Sequence, residues 1–474
     1  MDAGNDRLLQ GLENGDRPQR IGAERRRYAE VSRQTWNTEA DEFNIKPVSI
    51  QDLLEQICDR ENMQEAYLKV VRNKGAGGVD KMTVDELDDW LKSNYDALIG
   101  RLMAGKYRSK PVLRVEIPKE EKGEVRALGI PVVIDRMIQQ TVVQVLTPIY
   151  EPLFSEHSYG FRPNRCAHDA LAQVKLYADE GKVWCVSLDL ERFFDTVNQS
   201  KLIQLLGETI KDGRVISLIH RFLMAGVMID GEVHPTEEGT PQGGPLSPLL
   251  ANIMLNELDR ELERRGHAFV RYADDCLILK ETRRAAMRVR DSVTTFIEKK
   301  LFLKVNRDKT IVARLNYDVK YLGCGFYKMK GEWRFRVHPK SMVKLKDKIR
   351  VITARSNGWS LDYRRYRLKV LVAGWVNYSK LADMKMLLQE IDEWCRRRIR
   401  SMYWKQWKRV RTKFRALIKL GIPKDKAWEW ANTRKAYWRV ADSWILHRAL
   451  GNAKLSELGW VAFSAKYEQV GCRA

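Results

Sequence analysis

The sequence predicts an α+β protein, with antiparallel strands in its first two-thirds and helices in its last third. Three observations carry that expectation. The tetrapeptide Tyr272-Ala273-Asp274-Asp275 lies between two short apolar runs, Ala268-Phe269-Val270 and Cys276-Leu277-Ile278-Leu279, as a hairpin tip lies between buried strands. Leu113, Val115 and Ile117 alternate with Arg114 and Glu116 at period two, and Val125–Pro131 returns as a second strand. From Leu381 onward, Ile391, Cys395, Ile399, Met402, Gln406, Val410, Phe414 and Leu417 recur every three to four residues, and only Gln406 among them is polar.

The chain has 474 residues, enough for about three domains. Its apolar content of 44% permits a sizeable core, while its net charge of +22 points to a polyanionic partner. That charge is concentrated. Ser341–Ala474 holds 31 Lys and Arg against 11 Asp and Glu, together with 10 of the 14 tryptophans. A boundary near 338/339 follows, with residues 1–46 as a polar tail of no assigned role, 47–338 as one region (an N-terminal extension to about 100) and 339–474 as the basic region. No apolar run reaches the roughly 18–20 residues a membrane span needs, and the N-terminus is not a signal peptide, so the expected location is the bacterial cytoplasm, away from membrane. The seven cysteines form no Cys-x-x-Cys pair, which argues against a disulfide framework or a zinc module.

In order, Ser49 is a plausible N-cap for a helix carrying Leu53-Leu54, Ile57-Cys58, Ala66-Tyr67 and Val70-Val71. It stops in the glycine-rich Asn73–Asp80, which lacks the Gly-Lys-Ser/Thr of a P-loop and serves instead as a turn or a close backbone approach. The period-two hairpin, turning at Glu120–Glu124, would bring Lys119 and Arg126 together, a pair suited to a triphosphate; a solvated hairpin fits the stretch equally well. Asp135–Tyr150 reads as a helix, and Tyr159–Pro163 as a loop with Arg162 exposed. Val183–Leu188 reads as a buried strand with Asp189 at its end. Gly239–Pro248 is a loop that leads into the helical Leu249–Leu258, and its Gln242 can donate to a nucleotide or a template.

An Asp pair in a tight turn is common, because Asp tolerates turn geometry. Together with Asp189, however, Asp274 and Asp275 make the two-part carboxylate site that two-metal phosphoryl transfer needs. Two Mg²⁺ ions about 3.5–4 Å apart would clamp the attacking and leaving oxygens. Mg²⁺ takes one or two carboxylates plus substrate phosphates.

With Asp189, Pro241-Gln242-Gly243 and Tyr272-Ala273-Asp274-Asp275 in this order, the chain resembles a reverse transcriptase, and more specifically the bacterial group II intron-encoded reverse transcriptase/maturase family. The likeness runs from about residue 47 to near the C-terminus. It rests also on Asn73–Asp80, Val115–Lys119, Leu128–Pro131 with Asp135-Arg136, Ser158–Pro163, Gly239–Leu258, Leu301–Thr310 and Tyr321-Leu322-Gly323. The resemblance implies a right-hand polymerase of fingers, an antiparallel-sheet palm, and a helical thumb/maturase domain. It implies two Mg²⁺ ions held by Asp189, Asp274, Asp275 and the backbone of Leu190. Deoxynucleoside triphosphate would meet Lys119, Arg126, Gln242 and Phe194, the last excluding a ribose 2′-hydroxyl; Phe193 next door keeps the gate's position open. Tyr272, Arg162 and Lys309 would lie near primer and template. Two departures stand out: Ala127 where the family usually has Pro, and no Cys/His-rich endonuclease region before Ala474, so second-strand cleavage is not expected.

In the basic third, Arg396, Arg397, Arg400, Lys405, Lys408 and Arg409 interleave with aromatics, as nucleic-acid surfaces do. Its tryptophans are expected mostly in a core. By resemblance the partners are intron RNA, an RNA template with a DNA primer, and target DNA, in splicing and in retrohoming by target-primed reverse transcription. The sequence leaves dimerisation open. Alternatives are a retron-type, diversity-generating or CRISPR-associated reverse transcriptase, or an RNA-binding splicing factor with little polymerase activity. An RNA-copying RNA polymerase is disfavoured by the bulk of Phe194.

Overall fold

The computed structural model describes residues 52–118, 125–316 and 319–471. They fall into two compact units, one ending at Ala313 and the other beginning at Arg314. Residues 1–46, Ser49, and Lys119 with the turn at Glu120–Glu124 lie outside the described residues.

The first unit opens with two helices, Leu53–Cys58 and Arg60–Asn73, where the sequence suggests one. The break is at Asp59, whose extended backbone lets its carboxylate accept from the amides of Glu61 and Asn62 and cap the second helix. The glycine-rich stretch that follows is a close approach: a Cβ on Gly78 would sit 2.8 Å from the Val132 backbone. Arg136 donates to the Ala76 carbonyl at 2.6 Å, tying the stretch to the helix Val133–Tyr150.

The strands, in order, are β1 (Val112–Pro118), β2 (Val125–Ile130), β3 (Trp184–Leu188), β4 (Val227–Ile229), β5 (Glu232–His234), β6 (Ala268–Tyr272), β7 (Asp275–Lys280) and β8 (Ile311–Arg314). They form two four-stranded sheets, ordered β2-β1-β4-β5 and β6-β7-β3-β8. β1 and β2 are antiparallel, with Ile117 opposite Arg126. In the second sheet β7 lies between β6 and β3, antiparallel to both. Cys276–Leu279 is buried throughout, so β7 is covered on both faces, which is why its sequence reads as an unbroken apolar run. The helices Ala167–Asp179, Ser247–Arg264 and Arg283–Phe296 pack on this sheet. One core, reaching from Leu53 to Val305, joins the early helices to the sheet.

Within that core, Tyr107 donates its hydroxyl to Asp135 at 2.5 Å and the Lys110 amide donates at 3.1 Å. Burial outweighs these bonds and pushes the Asp135 carboxyl from 3.8 up to about 6. A value raised by folding favours the folded state below the ordinary value, and that contribution disappears as pH rises through about 6. Asp135→Asn should therefore flatten the pH dependence of the melting temperature between about pH 4 and 6. Identical slopes for the two proteins would refute this.

The second unit begins with a hairpin, β9 (Cys324–Met329) and β10 (Glu332–Val337). The compact boundary therefore precedes the composition change at 338/339. Phe335 bridges to Ala382 and accepts from the Asp383 amide at 2.9 Å, so the hairpin folds with the basic helices. The helices Pro339–Ile352 and Leu361–Ser379 are joined by a loop closed on the buried Arg364, which donates to the carbonyls of Ile352, Ala354 and Trp359. Next come Lys385–Gln406 and Val410–Lys419, separated at Trp407–Arg409 although the apolar stripe runs across the break. After Pro423 come three short helices, Lys424–Ala431, Tyr437–Val440 and Trp444–Ala449. Trp404 and Trp460 are buried, but Trp428, Trp438 and Trp444 are exposed, so the tryptophans divide between core and surface. No described helix is long and apolar enough to cross a membrane.

Candidate active site

Tyr272 pairs with Asp275 in the β6–β7 register, which leaves Ala273-Asp274 as a two-residue turn. Ala273 takes a left-handed backbone, φ 56°, as such a turn requires. On the other side of β7, Leu188 pairs with Cys276, so continuing the register by one residue sets Asp189 beside Asp275. Residues directly opposite on antiparallel strands have Cβ atoms about 4.5–5.5 Å apart. Asp274 and Asp275 are exposed and Asp189 is half-buried. The sheet thus brings together at one end the three carboxylates that are 85 residues apart in sequence, counting from Asp189 to Asp274. Among the described residues no three His, Cys, Asp or Glu side chains are placed to hold a metal ion together. An open carboxylate pair still fits Mg²⁺, which completes its octahedron with water and substrate phosphate.

Each side of this site hangs from the body of the unit. The Asp189 amide donates to Thr310 Oγ1 at 3.1 Å, and its carbonyl accepts from the Asn306 amide at 2.9 Å. Leu190 is buried and bridges to Val305. Lys309 is exposed on the Asn306–Thr310 loop, so it lies in the segment tied to Asp189.

The turn has a brace that the sequence reading did not identify. Arg271 is fully buried: its Nε and Nη2 donate to the Asp259 carboxylate at 2.7 and 2.5 Å. Its Nη1 donates to Asn252 Oδ1 at 2.9 Å and to the Ala273 carbonyl, in the turn itself, at 3.0 Å. Burial pushes the Asp259 carboxyl up while the Arg271 guanidinium opposes that push. Asn252 in turn donates to the Gly160 carbonyl at 2.9 Å. Gly160 touches the turn directly, since a Cβ there would lie 2.2 Å from the Ala273 nitrogen. One signal was available. Asn252, Asn256 and Asp259 fall four and three residues apart on one helix face, among buried residues such as Leu255 and Leu262, and buried polar groups need partners.

Phe193 and Phe194 open the short helix Phe193–Thr196. Phe193 is core, 3% exposed, whereas Phe194 is half-buried with its ring edge-on to Phe193 at 5.2 Å. The Phe194 carbonyl accepts from the Thr240 amide at 2.6 Å, so the Gly239–Pro248 loop is seated on that helix. The Gln242 carbonyl accepts from the Gly129 amide at 2.8 Å, which ties the same loop to β2, the strand of Arg126. Half-buried Tyr272 ends β6 beside the acids.

Arg162 is a correction. Far from exposed, it is buried, ion-paired with Glu151 at 2.7 Å, and donates to the carbonyls of Ser155 and Ser158 at 2.5 and 3.0 Å. It folds the loop ahead of Gly160, with its guanidinium committed to partners inside the protein.

In the second unit the helix Lys385–Gln406 carries most of the suggested RNA contacts. Arg400 is again buried: it donates to the Leu450 carbonyl at 3.1 Å and meets His447 Nε2 at 2.9 Å, so it braces the unit. Burial lowers its guanidinium from the usual value. Arg397 is half-committed, pairing with Asp442 at 3.1 Å and lying 4.3 Å from the Trp438 ring centre. Arg396 is partly exposed, Lys405 lies over Tyr437, and Lys408 and Arg409 are exposed.

Comparison with known proteins agrees with this arrangement. The reverse transcriptase (RNA-dependent DNA polymerase) family model matches residues 117–326, and that of the group II intron, maturase-specific domain matches 342–421. The chain is 30% identical over 386 residues to the group II intron-encoded protein LtrA of Lactococcus lactis subsp. cremoris, 64% of each protein, so it spans somewhat less than two-thirds of that relative. It is 34% identical over 314 residues to protein YkfC of Escherichia coli strain K12, covering 58% of this chain and 82% of that one. A solved partial Cas6-RT-Cas1–Cas2 complex is similar over 53% of this chain and 43% of its own, at 25% identity and a TM-score of 0.35, too loose for argument. With the polymerase and maturase models matched in this order, and four-fifths of a relative covered, the chain belongs to the group II intron-encoded reverse transcriptase/maturase family.

Proposed function

We propose that the protein is an RNA-dependent DNA polymerase that also holds group II intron RNA, assisting its splicing and its retrohoming into target DNA. The observation that carries this reading is the register that sets Asp189 beside Asp275, with Asp274 in the adjoining turn. In this reading Asp189, Asp274, Asp275 and the Leu190 carbonyl hold two Mg²⁺. Bound there, the metal would supply Lewis-acid stabilisation of charge on the phosphoryl oxygens and on the primer 3′-oxygen. The primer 3′-oxygen forms a bond to the α-phosphorus of a deoxynucleoside triphosphate, and the bond to pyrophosphate breaks. Lys119 and Arg126 neutralise the triphosphate, Gln242 positions the nucleotide, and Tyr272 and Lys309 face primer and template. Arg396, Arg397, Lys405, Lys408 and Arg409 meet intron RNA phosphates.

The test is primer extension by the full chain on an RNA template with deoxynucleotides and Mg²⁺. Extension is expected; its absence under conditions where the protein is folded and binds intron RNA would leave only the splicing-factor reading. Phe194 makes a second, sharper expectation. Because Phe193 is committed to the core, Phe194 is the ring assigned to the sugar, and Phe194→Ala should raise ribonucleotide incorporation by at least about tenfold relative to deoxynucleotide. Unchanged sugar selectivity would move the gate elsewhere.

A further inference from the structure

The helices Val410–Lys419 and Lys424–Ala431 form a hairpin with two faces. Inward, Leu417, Ala427 and Ala431 are buried, and Trp430 packs on the core that includes Trp404 and Ile445. Trp428, two residues before Trp430, points the opposite way on its helix and is 58% exposed. It meets Phe414 nearly at right angles, ring centres 5.6 Å apart. Along this aromatic pair run two open apolar clefts of about 650 and 490 Å³. Their rims are Arg411 and Arg415 on one helix and Lys424 on the other, with Asp425 as an acid among them.

The cations are placed against their own interest. Between Lys408 and Trp428 there are eight Lys and Arg and one Asp. Arg411 and Arg415 are four apart on one helix face, where like charges repel, and Arg409, Arg411 and Lys413 crowd a helix N-terminus whose dipole disfavours them. Among the described residues Arg411, Arg415 and Lys424 enter no ion pair. An aromatic platform rimmed by unpaired cations matches a nucleotide in both parts, base on ring and phosphate on charge. A second copy of this chain is a poor occupant, since a self-complementary interface would press the same positive rim against itself.

We propose that Trp428 and Phe414 form a stacking slot for an unpaired base of single-stranded RNA, whose flanking phosphates lie on Arg411, Arg415 and Lys424. This rests on the RNA-binding reading of the second unit and gives it a defined contact; Phe414 and the two arginines lie inside the maturase-specific match.

The experiment uses the full chain and a short fluorescein-labelled single-stranded RNA, with the same RNA carrying abasic positions, its duplex, and DNA of the same sequence as comparisons. Trp428→Ala should weaken binding to the intact RNA by about tenfold, with the slope against salt unchanged, because stacking releases no counterions. Trp428→Phe should restore most of the affinity. Wild type and Trp428→Ala should bind the abasic RNA alike. Arg411→Gln and Arg415→Gln should each flatten the salt slope by about 0.7. Equal binding of intact RNA by wild type and Trp428→Ala overturns the slot, as does an equal loss on abasic RNA. Tighter binding of the duplex or the DNA overturns the assignment to single-stranded RNA, and Trp428-dependent self-association overturns it in favour of a second copy. If wild type binds none of these RNAs, the broader RNA-binding reading fails; if it binds and only Trp428 is indifferent, the slot alone fails.

Discussion

Asp274→Ala is expected to reduce primer extension on an RNA template by more than about 100-fold while intron RNA binding stays within about twofold of wild type. The separation follows from where the residue stands. Asp274 is an exposed turn residue, so its loss costs the fold little, within about 0.5 kcal/mol. Its carboxylate, however, stands in the turn next to the register that sets Asp189 beside Asp275, and its loss removes one of the three carboxylates assigned to the metal ions. The cations assigned to RNA lie in the other unit of the chain. The measurement is extension rate beside filter-binding affinity, on one preparation. Loss of both together would sink the idea that copying and RNA binding have separate seats.

Arg271→Ala should be the most damaging single change in the first unit. It strands the fully buried Asp259 carboxylate and unmakes bonds to Asn252 and Ala273 at once. Breaking a buried pair by removing one partner costs about 3–5 kcal/mol, to be read as a lower denaturation midpoint. That loss alone would not distinguish a positioning role from a merely structural one. The double change Arg271→Met with Asp259→Leu does, because replacing a whole buried pair by apolar groups is often near neutral for stability. It should restore the midpoint but not the extension rate, since the Ala273 carbonyl still lacks its donor and the turn is no longer held. At saturating nucleotide the deficit should persist as a lower kcat. Recovery of full activity along with stability would show that Arg271 serves the fold alone.

How much of this was legible in the sequence depends on the reach of each interaction. The acids were legible because each is a local signal, a strand end at Asp189 and a two-residue tip at Asp274, and because buried strands announce themselves in apolar runs. The breaks at Asp59 and at Trp407–Arg409 were harder, since an apolar stripe can continue in phase across a change of helix. The arginines were hardest. Arg162 and Arg400 look like surface cations because nothing near them in sequence shows that Ser155, Glu151, Leu450 and His447 will fold around them. Arg400 does sit two helical turns beyond Asp392, itself buried and accepting from the amides of Phe463 and Ser464, so that stripe marks a polar seam inside the helix packing. Lys119 shows the opposite case, a residue for which resemblance assigns a role and the described residues offer no geometry.

The contact of Gly160 with the Ala273 backbone has one more implication. Exposed loops usually belong to the first parts of a protein to fray, because little ties them down. Here the tip is wet on its acidic side and wedged on the other, with backbone against backbone and a buried guanidinium behind it. Amide exchange at Ala273 should therefore be governed by opening of the whole sheet rather than by local breathing. The acids are presented to solvent by a turn packed from behind by the Gly160 backbone and the Arg271 guanidinium.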